Sequence, residues 1–216
     1  MPSMTTITIA IIVLTCIISI SAFSREKIID DFIFYPPAIT NQHQWYRFVT
    51  CGFIHADIPH LLFNMYSFYM FGEVIEDAFD KIYGSKGKLL FLLLYFSALV
   101  VCLLPTYFKN KNNYYYKSLG ASGAVSAIVF AFIFLAPTAK IGLMFIPIHA
   151  PAFLFGIIYL GISYYLAHRG ESRINHSAHF WGAVYGIIFL IVTAQLLSEF
   201  RPVDNFTIDI INYFKK

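Results

Sequence analysis

The polar residues of this chain that could do chemistry lie at the starts of apolar segments. A short turn, Gly120–Gly123, carries Ser122 and opens one such segment. His60 and Asn64 open a second, and His179 lies near the start of a third. A serine hydroxyl is a weak nucleophile until a base about 2.6–3.2 Å away takes its proton, and histidine is the most frequent base. If these segments meet, the residues have the chemistry to cleave a peptide bond.

The composition indicates an integral membrane protein. The 216 residues are 58% hydrophobic and 12% charged, whereas soluble domains carry about 25% charged residues. The mean hydropathy is +0.67, and several apolar stretches have the roughly 17–25 residues that cross a bilayer. We therefore predict an all-α membrane protein in which one domain, residues 1–216, forms a six-transmembrane-helix bundle. The predicted spans are about 5–23, 60–79, 88–107, 121–137, 152–167 and 177–198, followed by a short tail at 199–216.

Alternation of the spans predicts that the polar residues share one side of the membrane. The second, fourth and sixth spans begin on the same side, because each span reverses the direction of the chain. His60, Ser122 and His179 therefore lie within about one or two helical turns of that side, given a rise of about 1.5 Å per residue. Three polar features at matching depth on alternate helices favour a common site.

Glycines predict how two of these helices approach each other. Gly182 and Gly186 follow His179 at i+3 and i+7, so the three residues share one helix face. Gly123 provides a small residue beside Ser122 on the fourth span. Because glycines at such spacing let membrane helices pack closely, we expect the two faces to meet and to bring His179 to Ser122.

The same region offers donors for an oxyanion. His60 and Asn64 are at i and i+4 and project from one face of the second span. The backbone N–H of Ser122, at a helix N-terminus, has no intrahelical acceptor and is free to donate. Such donors stabilise the negative charge that develops on the attacked carbonyl. No Asp or Glu lies beside His179 in the sequence, so we expect a Ser–His dyad.

Other features limit the remaining functions. The basic residues are scattered, which argues against a nucleic-acid partner. Cys16, Cys51 and Cys102 are odd in number and lack CxxC spacing, so we expect neither a metal site nor a disulfide framework. The first basic residue, Arg25, follows the first apolar run, which favours a retained span over a cleaved signal peptide.

At these residues the chain resembles the rhomboid family of intramembrane serine proteases. The resemblance extends over about residues 45–186, and the motifs follow the family's order and spacing. The matching motifs are Trp45–Arg47, His60–Asn64, Gly120–Gly123, and Ala178–Gly182 with Gly186.

The resemblance implies a six-helix rhomboid-like bundle and a role for each matched residue. Ser122 corresponds to the nucleophile and His179 to the general base, while His60 and Asn64 correspond to oxyanion donors. The Trp45 and Arg47 pair resembles a structural signature of the first loop. The implied substrates are transmembrane segments of other proteins, cut near their outer ends in the bilayer without a metal or cofactor. The fifth span and the loop at 168–175 correspond to a lateral gate and cap.

The charge distribution does not orient the chain in its membrane. Of the 15 Lys and Arg residues, seven fall on the side that holds both termini and eight on the opposite side. The usual cytoplasmic excess is therefore absent. The family resemblance implies that both termini are cytoplasmic, and we expect a bacterial cell (inner) membrane.

One position departs from the family pattern. Ser126 stands one turn after the nucleophile, where relatives carry an aromatic ring that stacks on the catalytic histidine. His179 must then be held by another contact, for which Phe180, Trp181 or an aromatic residue of the fifth span are the candidates.

The remaining polar residues are expected outside the chemistry. His55 precedes the second span and is predicted to face the outer interface. His176 is expected in a loop or cap. Near the far end of the second span, Glu76 and its neighbours are expected to pair with charges at the interface, close to Lys81.

Two other functions stay open at the level of sequence. A non-proteolytic rhomboid-like membrane protein would bind transmembrane segments without cutting them, and the presence of both Ser122 and His179 weighs against it. A small transporter would use the buried His and Asn residues to line a pathway. The lack of an inverted repeat weighs against the transporter.

Overall fold

The computed structural model describes residues 6–142, 149–169 and 174–215. Its apolar helices confirm the prediction of an all-α membrane protein. Three stretches are long and apolar enough to cross a bilayer by length and composition: Thr6–Phe23, Ile58–Asn110 and His176–Leu197. Ser122–Leu135 is a shorter apolar helix.

The helices are, in chain order, α1 Thr6–Phe23, α2 Glu26–Phe32, α3 Pro36–Gln42, α4 Arg47–Thr50, α5 Ile58–Tyr83, α6 Gly87–Val101, α7 Leu104–Asn110, α8 Ser122–Leu135, α9 Ala152–Arg169, α10 His176–Leu197 and α11 Pro202–Phe214. Short 3-10 turns follow α4 and α5. Strands β1 (Lys140–Gly142) and β2 (His149–Pro151) pair antiparallel.

Several elements differ from the predicted spans. The stretch predicted as one span at 88–107 is two helices, α6 and α7, because Pro105 lies in the first turn of α7 and cannot continue α6. The segment between the predicted fourth and fifth spans contains the strand pair, and its residues 143–148 lie outside the described residues. Part of the predicted cap, residues 170–173, also lies outside them. The tail at 199–216 contains the amphipathic helix α11.

A buried carboxylate joins the start of α1 to the last third of α5. Glu76 is 1% exposed, and it accepts hydrogen bonds from the N–H groups of Ile7 (3.0 Å) and Thr8 (2.9 Å). The first N–H groups of a helix lack intrahelical acceptors, and the positive end of the helix dipole favours an anion there. The expected interfacial role of Glu76 is therefore wrong, whereas the exposed pair of Asp77 and Lys81 forms at 2.6 Å.

These contacts divide the bundle into two faces. The Tyr83 hydroxyl lies 2.7 Å from the Thr193 hydroxyl, so α5 and α10 end at the same face as the start of α1. The starts of α5, α8 and α10 lie at the opposite face, since these three helices run in the same direction.

Helix α8 lies at the centre of the bundle. The main core cluster combines apolar side chains of α5, α6, α8 and α10, and its fully buried members include Phe68, Phe91, Ile128 and Leu190. With 14 residues, α8 is about 21 Å long, less than the roughly 30 Å hydrocarbon core of a bilayer. A short central helix can therefore begin below the membrane surface.

Candidate active site

The hydroxyl of Ser122 and the imidazole of His179 are in direct contact. The distance from Ser122 Oγ to His179 Nε2 is 2.7 Å. Ser122 is the first residue of α8, and His179 is the fourth residue of α10. The side chain of Asn175 caps α10 by accepting a hydrogen bond from the N–H of Ala178 at 3.1 Å, which fixes the turn that carries His179.

Two glycines of α10 allow this contact. A Cβ at Gly182 would lie 2.0 Å from the carbonyl oxygen of Gly123, and a Cβ at Gly186 would lie 2.1 Å from the carbonyl oxygen of Ala127. Any larger residue would therefore force α8 and α10 apart. The structure thus brings together the two small-residue faces that the sequence pairs.

Two separate constraints, one on the backbone and one on the space available, require glycine at position 120. Its φ is +111°, a backbone conformation that other residues rarely adopt. A Cβ there would also lie 2.8 Å from Cε1 of the His60 ring. The turn before Ser122 therefore packs directly against His60.

Helix α5 begins with His60 against the nucleophile turn, and Asn64 follows one turn later on the same helix. Asp57 caps the helix by accepting the N–H of His60 at 2.7 Å, and Nδ1 of His60 accepts the N–H of Ala56 at 3.4 Å. Asn64 is 3% exposed and donates from Nδ2 to the His60 carbonyl at 2.9 Å. An amide group has two N–H donors, so one N–H of Asn64 has no acceptor among the residues that the structure describes.

The predicted residues thus differ in how closely they are joined. Ser122 and His179 share a hydrogen bond, and His60 contacts the turn through Gly120. Asn64 bonds the backbone of His60 within α5, and its described hydrogen bonds include none to Ser122 or His179.

His55 is buried under the nucleophile turn, so the prediction that it faces the outer interface is wrong. It is 0% exposed. Its Nδ1 lies 2.9 Å from Ser19 Oγ, its Nε2 accepts the N–H of Ala121 at 3.5 Å, and its ring packs edge-on against His60 with centroids 4.9 Å apart. The apolar run Cys51–Ile54 just before it is buried as well, and this was the signal in the sequence.

The hydrogen bonds around His55 define its tautomer. The Ser19 hydroxyl uses its single proton to donate to the carbonyl of Phe53 at 2.8 Å. The contact between Ser19 Oγ and Nδ1 of His55 is therefore a hydrogen bond that the protonated Nδ1 donates. Nε2 is then the acceptor for Ala121. Desolvation by burial, followed by the nearby His60, lowers the pKa of His55 from 6.5 to about 3. A neutral His55 therefore supports the backbone immediately before Ser122.

An aromatic ring of the fifth span lies beside His179. The rings of Tyr159, in α9, and His179 are nearly parallel at 17°, with centroids 6.3 Å apart. The Tyr159 hydroxyl lies 2.7 Å from the hydroxyl of Ser126. His176 contacts the other side of the site, with its ring edge-on to His179 at 5.7 Å. Of the three candidates for the missing aromatic, the structure brings the α9 residue to His179.

The first-loop motif holds short helices together. Arg47 is 6% exposed and donates from Nη1 to the carbonyls of Asp30 (2.7 Å) and Ile33 (2.8 Å) at the end of α2. Its Nε donates to the side chain of Gln44 at 2.5 Å. Trp45 is 54% exposed and its ring stacks with Phe48. Through Arg47, the motif thus ties α4 to the end of α2.

A small cavity of about 20 Å³ lies behind the nucleophile. Its polar lining comes from Ser118, Ser122 and Asn175. Among the residues that the structure describes, Nδ2 of Asn175 finds no hydrogen-bond partner although it is buried. A cavity of this size has room for one water molecule, and these three polar side chains could bond it within an otherwise mostly apolar lining.

Comparison with known proteins agrees with this architecture. Residues 42–196 match the family model of the Rhomboid domain. The chain is 36% identical over 152 residues to RHOMBOID-like protein 12, mitochondrial, of Arabidopsis thaliana, covering 65% of this chain and 44% of that protein. It is 29% identical over 158 residues to the Putative rhomboid protease YdcA of Bacillus subtilis (strain 168), covering 70% of this chain and 69% of that protein.

A vertebrate relative shows the same similarity. The chain is 29% identical over 146 residues to Presenilin-associated rhomboid-like protein A, mitochondrial, of Danio rerio, covering 66% of this chain and 36% of that protein. The match thus spans less than half the length of the plant and fish relatives. The family model nevertheless covers most of this chain, including both helices that carry Ser122 and His179. The chain therefore belongs to the rhomboid family of integral membrane proteins.

Proposed function

We propose that this protein is an intramembrane serine endopeptidase that cleaves transmembrane segments of other membrane proteins. One observation carries the proposal: the 2.7 Å contact between Ser122 Oγ and His179 Nε2. A serine and a histidine at this distance form a nucleophile–base pair, and neither the packing of α8 on α10 nor the fold requires those two residue types. The pair favours this proposal over a protein that only binds transmembrane segments.

In the proposed acylation step, Ser122 Oγ attacks the scissile carbonyl carbon while Nε2 of His179 takes the hydroxyl proton. The tetrahedral intermediate collapses as the carbon–nitrogen bond breaks. His179 returns its proton to the leaving amine, and the acyl group remains on Ser122 as an ester. Nε2 thus acts first as base and then as acid.

The oxyanion of this intermediate requires donors near Ser122. We assign this role to the backbone N–H of Ser122, the His60 ring and the free N–H of the Asn64 amide. Helix N-termini present unsatisfied N–H groups, and His60 packs against the turn that precedes the nucleophile. Removal of one such donor typically slows a reaction by about 10²–10³-fold.

Hydrolysis of the ester then needs one water molecule. His179 deprotonates the water, which attacks the acyl carbon, and the proton goes to Ser122 as the ester bond breaks. The cavity of about 20 Å³ next to Ser122, with Ser118 and Asn175 also in its lining, has room to bind such a water.

The depth of the site suits a substrate that spans the bilayer. His179 lies four residues into α10 and Asn64 seven residues into α5, which corresponds to about 5–10 Å below the helix starts. We propose that the scissile bond lies near the outer end of the substrate span, in the outer part of the bilayer. The family resemblance favours small residues before that bond.

A serine-directed fluorophosphonate probe tests the proposal on purified protein in detergent, together with cleavage of a model transmembrane substrate. We expect labelling and cleavage by the wild type and loss of both in Ser122→Ala and His179→Ala. Ser21→Ala and His43→Asn are the matched controls, because both side chains are exposed and lie outside the site. Cleavage by Ser122→Ala at the wild-type rate would exclude the mechanism.

We further propose that both termini are cytoplasmic and that the membrane is the cell membrane of a bacterium. The family resemblance implies the orientation of the termini, and one of the relatives comes from a Bacillus, whereas the names of the plant and fish relatives point to mitochondria. Tyr115→Cys, on the site face, should react with a membrane-impermeant maleimide in intact cells. Phe214→Cys, on the opposite face, should react only after lysis, and the reverse pattern would contradict the orientation.

A further inference from the structure

The ring beside His179 comes from a different helix than the nucleophile. Tyr159 belongs to α9, while Ser122 and Ser126 lie one turn apart on α8 and His179 lies on α10. Phe130 and Phe155 flank the Tyr159 ring, with centroids 5.4 Å and 5.9 Å away. Three helices are therefore joined at one aromatic side chain.

The hydrogen bonds of Ser126 define the direction of a short chain of hydroxyl groups. Ser126 Oγ donates to the backbone carbonyl of Ser122 at 2.8 Å. Because a hydroxyl has a single proton, the 2.7 Å contact with Tyr159 must be a bond that Tyr159 donates. The chain thus runs from the Tyr159 hydroxyl through Ser126 to the carbonyl of the nucleophile residue.

The small size of Ser126 creates the space for this ring. Ser126 is 4% exposed and faces Tyr159 inside the bundle. An aromatic residue at 126 would extend into the Tyr159 hydroxyl, which lies 2.7 Å from Ser126 Oγ. A serine at this position both leaves room for the ring and anchors its hydroxyl.

We propose that Tyr159 is a positioning residue for the base: its ring, anchored through Ser126, holds the imidazole of His179 towards Ser122. This inference rests on the proposed protease function and deepens it. Nearly parallel rings about 4.5–7 Å apart attract each other, so the tyrosine limits rotation of the imidazole. Because the ring belongs to α9, the position of α9 determines whether the base is aligned.

Removing the ring tests the positioning role. We expect Tyr159→Leu to lower the rate of fluorophosphonate labelling and kcat by about tenfold or more, since base catalysis depends on this alignment. KM for a model transmembrane substrate should change little, as expected for an interaction used in the chemical step. Tyr165→Leu is the matched control, because this exposed tyrosine of the same helix points away from His179 and contacts Arg169.

Moving the ring to the other helix separates positioning from general packing. In Ser126→Phe/Tyr159→Ala, the aromatic ring is supplied from α8 and the space on α9 is vacated. We expect this double variant to label at least about tenfold faster than Tyr159→Ala alone. A purely structural role of Tyr159 would not be rescued by a ring placed on another helix.

A double-mutant cycle tests the anchor. Tyr159→Phe and Ser126→Ala each remove one partner of the hydrogen bond, and each should slow labelling by about three- to tenfold. Because both act on the same contact, the double variant should be no slower than either single variant. This cycle keeps the ring and the packing, so it also serves if Tyr159→Leu does not fold.

The outcomes separate this inference from the proposed function. Wild-type protein that neither labels nor cleaves would overturn the protease proposal itself. If the wild type labels, any one of three results would overturn the positioning role alone. These are a labelling rate of Tyr159→Leu equal to that of the wild type, no recovery in Ser126→Phe/Tyr159→Ala, and additive effects in the double-mutant cycle.

Discussion

Gly182 of α10 packs against the carbonyl oxygen of Gly123 in α8, one residue after the nucleophile. A Cβ at Gly182 would meet that oxygen at 2.0 Å and the carbonyl carbon at 2.8 Å. Backbone atoms cannot move aside as a flexible side chain can. The separation between the helices that carry Ser122 and His179 is therefore set at this point.

We expect Gly182→Ala to push α8 and α10 apart and to lengthen the contact between Ser122 and His179. Overpacking of a buried contact typically costs about 1–3 kcal/mol. The variant should unfold at a lower temperature and lose most of its fluorophosphonate labelling. Thermal unfolding in detergent and labelling of the same samples measure both effects.

Gly161→Ala is the control for this substitution. It also changes a glycine inside an apolar helix, but a Cβ there has nothing within 4 Å. Alanine is the better helix former by about 1 kcal/mol, so this variant should be as stable as the wild type or more stable. Equal behaviour of the two variants would show that the close approach at Gly182 is unimportant.

Burial of His55 predicts a dependence of stability on pH. Desolvation lowers the pKa of His55 from 6.5 to about 3, so the unfolded chain binds a proton below pH 6.5 that the native protein does not bind. The free energy of unfolding should therefore fall as pH decreases from about 6.5 towards 3, by up to about 1.4 kcal/mol per pH unit.

The comparison of His55→Gln with wild type isolates this contribution. Glutamine does not titrate, so the stability of the variant should fall less steeply between pH 7 and pH 5, measured as the unfolding temperature in detergent. His43→Asn, which removes an exposed histidine, should keep the wild-type slope. Identical slopes for His55→Gln and wild type would contradict the assignment of a buried, neutral His55.

The site could be predicted from sequence where a local pattern dictates a helix face. Gly182 and Gly186 lie on the face of His179 because of helical periodicity alone, and this pattern led to the contact with Ser122. The apolar helices likewise followed from length and hydropathy, although their division into six spans stays a prediction. The sequence prediction missed the break at Pro105, even though proline cannot continue a helix.

The missed features depend on contacts between residues far apart in the chain. Glu76 is buried because the start of α1, 68 residues earlier, brings N–H donors to it. His55 is buried because Ser19 and Ala121 bond to its two ring nitrogens. For the ring beside His179, the sequence named an aromatic residue of the fifth span as one of three candidates, and only the packing of α9 identifies it as Tyr159. None of these partners is marked by spacing in the sequence.

The buried guanidinium of Arg47 predicts a difference between arginine and lysine. Its Nε and Nη1 atoms bond three acceptors, which include the carbonyls of Asp30 and Ile33. A lysine ammonium cannot reproduce this planar arrangement, and hydrogen bonds to charged groups are worth about 1.5–3 kcal/mol each. We expect Arg47→Lys to lower the unfolding temperature clearly, whereas the exposed Arg25→Lys should not. Equal unfolding temperatures would contradict the structural role of Arg47.

The amphipathic helix α11 predicts how the C-terminal segment contacts the membrane. Phe206 stacks on Phe134 of α8 with centroids 4.6 Å apart, while Ile211 of α11 is 47% exposed. Asp209 lies on the polar side of the helix. Because helices with one apolar face lie in the membrane interface, we expect Ile211 to contact lipid and Asp209 to contact water.

Spin labels at these two positions measure the difference. Ile211→Cys and Asp209→Cys are compared in a Cys16→Ser background, since Cys51 and Cys102 are buried. In lipid vesicles, the label at 211 should be relaxed mainly by oxygen, which concentrates in the bilayer, and the label at 209 mainly by a water-soluble nickel complex. Equal access of the nickel complex to both labels would mean that α11 lies in water, and its apolar side chains would then need a protein partner.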